Sequence, residues 1–361
     1  MQKTIDIMKK AALAVCAAVI ATGCIFEKEA MPKDLQSVTV QLNVSSDVMT
    51  RAQEDPTAAE SALNSVRIYA FHGNRLAGHF LRQTASDDPI FMDLRMPETG
   101  VYNVDFYVIA NEKGMIPASG SPEISATLTR SQISDITISG IDDMAANGMP
   151  MYGVSKVSID VENILELPNA AAGHMGHTML DYHVAVELFR PFAKISVYAA
   201  RTEGNASDIV IEDVIMQARG TRQYGYLMEK EVSVMESIPA GTSDLDMLLN
   251  PVILTKTVTE SQMEIEDNYD ELVADEYLFE VPFGSSAWNV PVADDVDAVV
   301  LDVSYLSGGS STPTVGTVYM PEIERNTHYK VYCHILSERE VEMIYIVRPW
   351  TEEIVEVPEY N

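Results

Sequence analysis

The sequence predicts a mainly β protein built from two antiparallel β-sandwich domains. Short runs of alternating apolar residues recur along the chain, and Gly, Pro, Asn or Asp separate them. A period of two is typical of strands that bury one face, and turn residues about every 8 to 12 positions are typical of sandwiches. Long helical patterns are scarce, which argues against a parallel α/β sheet. The 361-residue chain is 47% hydrophobic, enough for one or two sizeable cores, and its length favours two domains.

The clearest strand pattern is SVTVQLNV at residues 37–44, where Val38, Val40, Leu42 and Val44 fall on one face. The other predicted strands are residues 66–71, 101–110, 133–138, 154–161, 184–189, 193–199, 209–216, 298–305, 314–319, 329–335 and 341–347.

Two irregular regions interrupt this pattern. Residues 167–181 are rich in Gly and Ala and have no sustained period, so we expect a domain boundary near residue 180. Residues 229–271 predict a long decorated loop with one short helix, and such a loop is either functional or poorly ordered.

The amino terminus predicts an export signal. Lys3, Lys9 and Lys10 precede thirteen uncharged, mostly apolar residues at 11–23, and Cys24 follows small residues. As a helix the apolar stretch spans about 20 Å, short of the roughly 30 Å hydrocarbon core, so we expect it to be removed. Small residues before Cys24 predict lipidation of its thiol; the alternative is an ordinary signal-peptidase site beside an incidental cysteine.

Charge and cysteine content exclude several classes of protein. The net charge is −30 and the pI is about 4.4, which argues against nucleic acid as a partner. Cys16 lies in the signal and Cys24 is the predicted acylation site, so Cys333 has no cysteine with which to form an intrachain disulfide.

No motif indicates catalysis or a bound cofactor. His174, His177 and His183 lie near Asp181, but a Gly- and Ala-rich linker without an HExxH pattern favours linker histidines over a zinc site. Cys333 and His334 are adjacent on a predicted strand and therefore point to opposite faces. We expect a protein that is not an enzyme, with no cofactor and no metal.

The two ends of the mature chain suggest assembly. Residues 45–51 form a polar link with Arg51 as its one basic residue, and a small, acidic segment follows. A cut after Arg51 would separate the strand at 37–44 from its domain and leave an apolar groove, which a donated strand can fill. The alternating residues from 341 onward are a candidate donor; the alternative is that they form only the last strand of the second domain.

In these features the chain resembles the Bacteroidales fimbrillins, which build type V pili. The resemblance rests on Cys24, Thr50–Arg51–Ala52, MPMYG at 149–153, ELFRPFAKISV at 187–197, and the terminal stretch 347–357 with Trp350. It implies two transthyretin-like sandwiches and a pilin that is lipidated at Cys24, tethered to outer-membrane lipid, and cut by an arginine-specific protease between Arg51 and Ala52.

The resemblance further implies polymerisation with other copies of the chain or related fimbrial subunits, in a cell-surface fimbrium. The implied organisation is a signal peptide at 1–23, a propeptide with the removable strand at 24–51, and sandwich domains at 52–180 and 181–361. The implied donor residues are Met343, Tyr345, Val347, Trp350, Ile354 and Val357. The rival hypothesis is a surface-anchored lipoprotein, an adhesin or a tip or anchor subunit, that uses loops such as 229–271 to bind a glycan or host protein.

Replacing Cys24 with Ser is expected to abolish lipidation, because the serine hydroxyl does not replace the thiol as the acyl acceptor. Labelling the bacteria with radioactive palmitate measures this directly. Equal palmitate incorporation in the wild type and in Cys24→Ser would contradict the predicted acylation site.

Overall fold

The computed structural model describes residues 35–45, 57–86, 88–161, 178–202, 208–248, 250–259, 269, 272–286, 290–337 and 340–349. Cys24, Arg51, Ala52, Trp350, Ile354 and Val357 lie outside these residues. The described chain is mainly β, as predicted. Its helices are short, and none of them is both long and apolar enough to cross a membrane.

The strands of the first half of the chain are β1 (Leu35–Ser45), β2 (Val66–His72), β3 (Arg75–Arg82), β4 (Ile90–Pro97), β5 (Val101–Ala110), β6 (Met115–Pro117), β7 (Thr137–Ile141), β8 (Met151–Asp160) and β9 (Thr178–Glu187).

The remaining strands are β10 (Phe192–Thr202), β11 (Ile209–Met216), β12 (Gly225–Tyr226), β13 (Leu245–Asp246), β14 (Val252–Ile253), β15 (Thr257–Val258), β16 (Leu272–Phe279), β17 (Val300–Ser307), β18 (Thr314–Tyr319), β19 (Thr327–Ser337) and β20 (Glu340–Pro349).

Two sheets enclose the first apolar core. One has the order β4-β1-β9 and the other has the order β3-β2-β5-β8. Their buried side chains form one cluster, which includes Leu42, Ile68, Leu94, Phe106 and Val186. The predicted boundary at residue 180 falls inside β9, whose partner in this sheet is β1.

Two further sheets enclose the second core. One has the order β15-β10-β19-β20 with β16 also paired to β10, and the other has the order β13-β11-β17-β18 with β14 also paired to β11. Buried residues of both sheets, such as Ile195, Val214, Val303 and Val331, belong to one cluster.

A third apolar cluster joins the two pairs of sheets. Tyr69 and Tyr107 contribute from β2 and β5, whereas Phe192 and Phe279 contribute from β10 and β16. The small sheet β12-β7-β6 lies beside it, because Ile138 of β7 belongs to the same cluster.

The prediction of purely antiparallel pairing is wrong at three places. β1 runs parallel to β9, and β10 runs parallel to both β15 and β19. Parallel neighbours need a long connection between their ends, and alternating apolar residues do not encode strand direction. Three longer strands, β3, β4 and β16, were not predicted, although Ile90, Met92, Leu94 and Met96 of β4 alternate as a strand should.

The predicted strand at 133–138 is wrong over its first residues and correct only at Thr137 and Ile138. Helix α2 (Arg130–Ser134) covers its first two residues. The other helices are α1 (Ala58–Ser61), α3 (Met144–Asn147) and α4 (Val232–Met235). Thr129 caps α2 with its hydroxyl, and Gln132 caps the backbone of Thr129 in return. This reciprocal cap stabilises one helical turn over residues that would otherwise suit a strand. The strand β7 begins only at Thr137.

The region 229–271 is described in part. It carries α4 and the short strands β13, β14 and β15, which lie along the edges of the second pair of sheets.

Gly153 of β8 permits close approach of β9. A Cβ atom at this position would lie 2.7 Å from Cγ1 of Val186 and would collide with the backbone carbonyl of Glu187. The two sheets of the first core therefore meet at this point without an intervening side chain.

Replacing Gly153 with Ala is expected to lower the free energy of unfolding by about 1–3 kcal/mol, because the added methyl group overpacks a backbone contact. Gly140→Ala is the matched control, since its Cβ would lie 3.5 Å from Cδ1 of Ile116, an ordinary contact. Urea unfolding of both variants compares them. Equal stability of Gly153→Ala and Gly140→Ala would contradict the described contact.

Candidate assembly site

The first strand occupies the centre of its sheet. β1 pairs antiparallel with β4, from Leu35 opposite Pro97 to Leu42 opposite Ile90. On its other side β1 pairs parallel with β9, as far as Ser45 opposite Glu187. Within the described residues, β1 is the one strand that pairs with β4 and the one that pairs with β9 in a ladder. This sheet therefore depends on β1 for its backbone hydrogen bonds.

One face of β1 is part of the first core. Val38, Val40 and Leu42 are fully buried, as their alternation in the sequence predicts. Removing side chains of this size from water contributes about 1.5–3 kcal/mol each. Thr39 points the other way but is also buried, and its hydroxyl donates to Oδ1 of Asp93 on β4 at 2.5 Å. β1 is thus held by apolar burial on its core face and by the Thr39 hydrogen bond on its other face.

The walls beside β1 are apolar. On the β4 side, Met92, Leu94 and Met96 are buried, and on the β9 side Val184 and Val186 are buried. Together with the facing sheet they would line an apolar groove if β1 were absent.

The chain re-enters the described residues at Thr57, after the stretch that holds Arg51 and Ala52. Thr57 caps α1, and Glu60 completes the cap with a carboxylate oxygen, Oε2, that accepts from the Thr57 backbone N–H at 2.7 Å. The pattern T-x-x-E marks this helix start in the sequence. Glu60 was not predicted as a site residue, because this pattern signals a cap and reveals no distant partner.

Glu60 is 1% exposed although it is a carboxylate. Its second oxygen, Oε1, accepts from Nζ of Lys194 on β10 at 2.9 Å and from the hydroxyl of Tyr277 on β16. Burial alone would raise the pKa of Glu60, but the Tyr277 hydroxyl and the Lys194 ammonium outweigh burial and lower the pKa. Asp275 and Glu60 likewise overcome burial and raise the pKa of Lys194. Glu60 and Lys194 are therefore both charged at neutral pH. Each charge supplies the partner that a buried ion requires.

The last described strand completes its own sheet. β20 pairs antiparallel with β19 along its whole length, from Thr327 opposite Pro349 to Ser337 opposite Glu340. The predicted donor residues Met343, Tyr345 and Val347 stand opposite Cys333, Val331 and Tyr329, which are all buried in the second core. The described chain therefore keeps this half of the predicted donor segment in its own fold, apart from β1.

Cys333 behaves as a core residue. It is fully buried, and burial raises the pKa of its thiol to about 12, so the nucleophilic thiolate is not formed near neutral pH.

The histidine cluster of the sequence lies mostly outside the described residues. His174 and His177 fall there, whereas Asp181 and His183 belong to β9. Among the residues that the structure describes, no group of three or more His, Cys, Asp or Glu side chains is placed to hold a metal ion.

A cleft of about 1110 Å³ opens between the two pairs of sheets. Arg130 and Arg325 line it, but Arg130 lies 2.5 Å from Asp105 and Arg325 lies 2.8 Å from Glu280. Both cations are therefore engaged within the protein. Glu229 and Val232 from the region 229–271 also line the cleft.

Comparison by sequence finds no matching family model and no similar curated protein. Solved structures do match. The tip fimbrial protein Mfa3 of Porphyromonas gingivalis, with a C-terminal truncation, has a TM-score of 0.51 at 13% identity, over 87% of this chain and 100% of that one. The fimbrilin FimA of Porphyromonas gingivalis W83 has a TM-score of 0.51 at 14% identity, over 87% of this chain and 98% of that one. The chain therefore has the fold of the fimbrillins that its sequence resembles.

Proposed function

We propose that this chain is a structural subunit of a bacterial surface fimbria. It is exported as a lipoprotein through Cys24, cut between Arg51 and Ala52 by an arginine-specific protease, and polymerised by strand exchange with copies of itself or related subunits. It consists of two transthyretin-like sandwiches, and the strand lost on cleavage is β1. The proposal covers localisation as well: first the outer membrane, then the cell-surface fimbrium.

The position of β1 carries this proposal. β1 is the central strand of its sheet, yet it is followed within six residues of its end by the one basic residue of the link, Arg51. A strand at the centre of a sheet is ordinarily inseparable from its domain. Here one cut in the link leaves β1 held by non-covalent contacts alone.

An empty β1 groove would be strongly unfavourable. Each lost ladder hydrogen bond costs about 1 kcal/mol net. Apolar walls such as Leu94 and Val186 would also meet water, at roughly 25 cal/mol per Å². A strand from a second subunit that restores these contacts therefore has a large driving force, and no further energy source is required.

The donated segment is proposed to come from the carboxyl terminus. We assign its start to Trp350, because β20 is fully paired with β19 and Pro349 ends that ladder. The residues from 350 onward are numerous enough to span the eleven-residue length of β1. Trp350, Ile354 and Val357 then fill the next subunit's groove, whereas Met343, Tyr345 and Val347 connect the segment to its own domain. The wider donor from residue 341 requires β20 to leave its sheet.

Two truncations distinguish these donors. A chain that ends at Pro349 is expected to form no fibres and to unfold at the wild-type temperature, since β20 remains. A chain that ends at Ser337 is expected to be less stable as well, because it bares the edge of β19 over the second core. Electron microscopy of surface material and thermal unfolding of purified protein measure the two effects. Normal fibres from the chain that ends at Pro349 would refute the carboxyl-terminal donor.

Replacing Arg51 with Gln is expected to block processing, because an arginine-specific protease needs the guanidinium at the cut. Sequencing the amino terminus of surface-exposed protein is then expected to give Ala52 for the wild type and lipidated Cys24 for the variant. Arg75→Gln is the control, since Arg75 is exposed on β3. Ala52 as the first residue of Arg51→Gln would sink the assigned site.

A second candidate is a surface-anchored adhesin or a tip or anchor subunit that binds a glycan or host protein. The cleft lined by Glu229 and Val232 favours it, because residues of the predicted binding loop face a concave surface. The same sequencing separates the two functions. Surface protein that begins at Cys24 in the wild type would favour the anchored subunit.

A further inference from the structure

The wall of the β1 groove formed by β9 packs on the first core but has few backbone hydrogen bonds of its own. In the described part of the chain, β9 has β1 as its one ladder partner. Beyond β9, the backbone of Phe189 exchanges two hydrogen bonds with Tyr152, at 2.9 and 2.7 Å. Close packing at Gly153 adds a contact without a hydrogen bond. If β1 leaves, the ladder that orders β9 is lost with it.

Glu60 fastens the chain immediately after β9. Arg190 lies three residues beyond the end of β9 and is fully buried, and its Nη2 donates to the backbone carbonyl of Glu60 at 3.2 Å. Lys194 lies four residues further and donates to the Glu60 carboxylate. The backbone and side chain of one residue thus hold both ends of the turn that leads from β9 into β10.

Glu60 is itself fixed independently of β1. Its Oε2 closes the α1 cap, and Asn111 holds the chain just after α1. The Asn111 side chain donates to the carbonyl of Ala62 at 2.7 Å and accepts from the backbone N–H of Asn64 at 2.9 Å. None of these groups belongs to the segment upstream of Arg51. The attachment therefore remains when β1 is removed.

We propose that Glu60 is a positioning residue for strand exchange: through Arg190 and Lys194 it keeps β9 in place as a wall of the groove after β1 has left. This inference rests on the proposed function. Glu60 does not touch the incoming strand. It acts by limiting how far the unpaired wall moves before a new strand restores the ladder.

Other groups around this cluster are already engaged. Asp275 of β16 lies 3.2 Å from Nζ of Lys194 and accepts from the hydroxyl of Ser196 at 2.9 Å. His328 of β19 contacts the same Ser196 hydroxyl at 2.8 Å. Lys194 therefore keeps one carboxylate partner when Glu60 is neutralised. Replacing Glu60 with Gln should leave a folded protein in which the tie to Lys194 is weakened.

The test uses the full chain, cut at Arg51 by an arginine-specific protease and then separated from the released amino-terminal fragment that carries β1. This cut protein is mixed with a fluorescent peptide that has the β1 sequence LQSVTVQLNVS. We expect cut Glu60→Gln to bind this peptide about tenfold more weakly than cut wild type, as expected when a buried charged hydrogen bond is weakened. Tyr277→Phe removes one donor to Glu60 and is expected to have a smaller effect in the same direction. Fluorescence anisotropy measures the affinities.

Hydrogen exchange of the β9 amides provides a second measurement. It would not change selectively if Glu60 only stabilised the fold as a whole. In cut Glu60→Gln these amides should exchange faster than in cut wild type, whereas in the uncut proteins β1 should protect them equally. Glu112→Gln is the control, because it weakens another ion pair, that with Arg67 at 2.6 Å, and neither residue makes any of the contacts described above for β9.

Wild-type affinity and wild-type β9 exchange in cut Glu60→Gln would overturn the inference, and so would an equal effect of Glu112→Gln. If cut wild type does not bind the peptide, strand exchange itself fails, and the β9 exchange still decides the role of Glu60.

Discussion

The sheet β4-β1-β9 depends on its central strand, β1, for both of its ladders. β4 and β9 are not neighbours in any ladder of the described chain, and β1 supplies the hydrogen bonds of both. Backbone groups that are removed from water need partners, so the two flanking strands share one requirement for the same central strand. Burial of Val38, Val40 and Leu42 strengthens that requirement from the side of the core. An empty position in place of β1 would leave backbone groups of both flanking strands without their ladder partners.

Polar contacts do a different task from apolar ones in this molecule. The three largest apolar clusters of the described residues hold the sheets together, whereas buried polar groups such as Glu60 and Asn111 fasten the chain where it changes direction. A buried ion pair contributes little net stability, but loss of one partner leaves an uncompensated charge, so the geometry is strongly specified. The chain from Thr57 to Asn64 is held by such contacts, whereas β1 is held by its ladders with β4 and β9. β1 and the chain from Thr57 onward are therefore attached to the protein by different kinds of contact.

Alternation of apolar residues predicted much of the fold. It predicted β11 at 209–216 and β18 at 314–319 with their observed bounds, because each buries one face. It also predicted β5 at 101–110, although the second half of this strand is buried on both faces. It could not predict that β1 and β9 are parallel, since direction depends on how distant segments meet. It failed at the start of 133–138, where the Thr129 cap outweighed strand propensity. At the candidate site the apolar face of β1 was readable, but Lys194 and Tyr277 lie more than a hundred residues from Glu60, and no local pattern joins them.

The connection between β1 and α1 also sets the effective concentration of β1 at its own groove. Eleven residues separate Ser45 from Thr57. A short flexible connection holds two groups at an effective concentration on the order of millimolar. While the link is intact, an intruding strand must outcompete a tethered rival at that concentration. Once it is severed, β1 is diluted on departure and the advantage passes to any strand that arrives attached to another subunit. In the proposed assembly, cleavage of the link at Arg51 therefore determines when the groove becomes available to a second subunit.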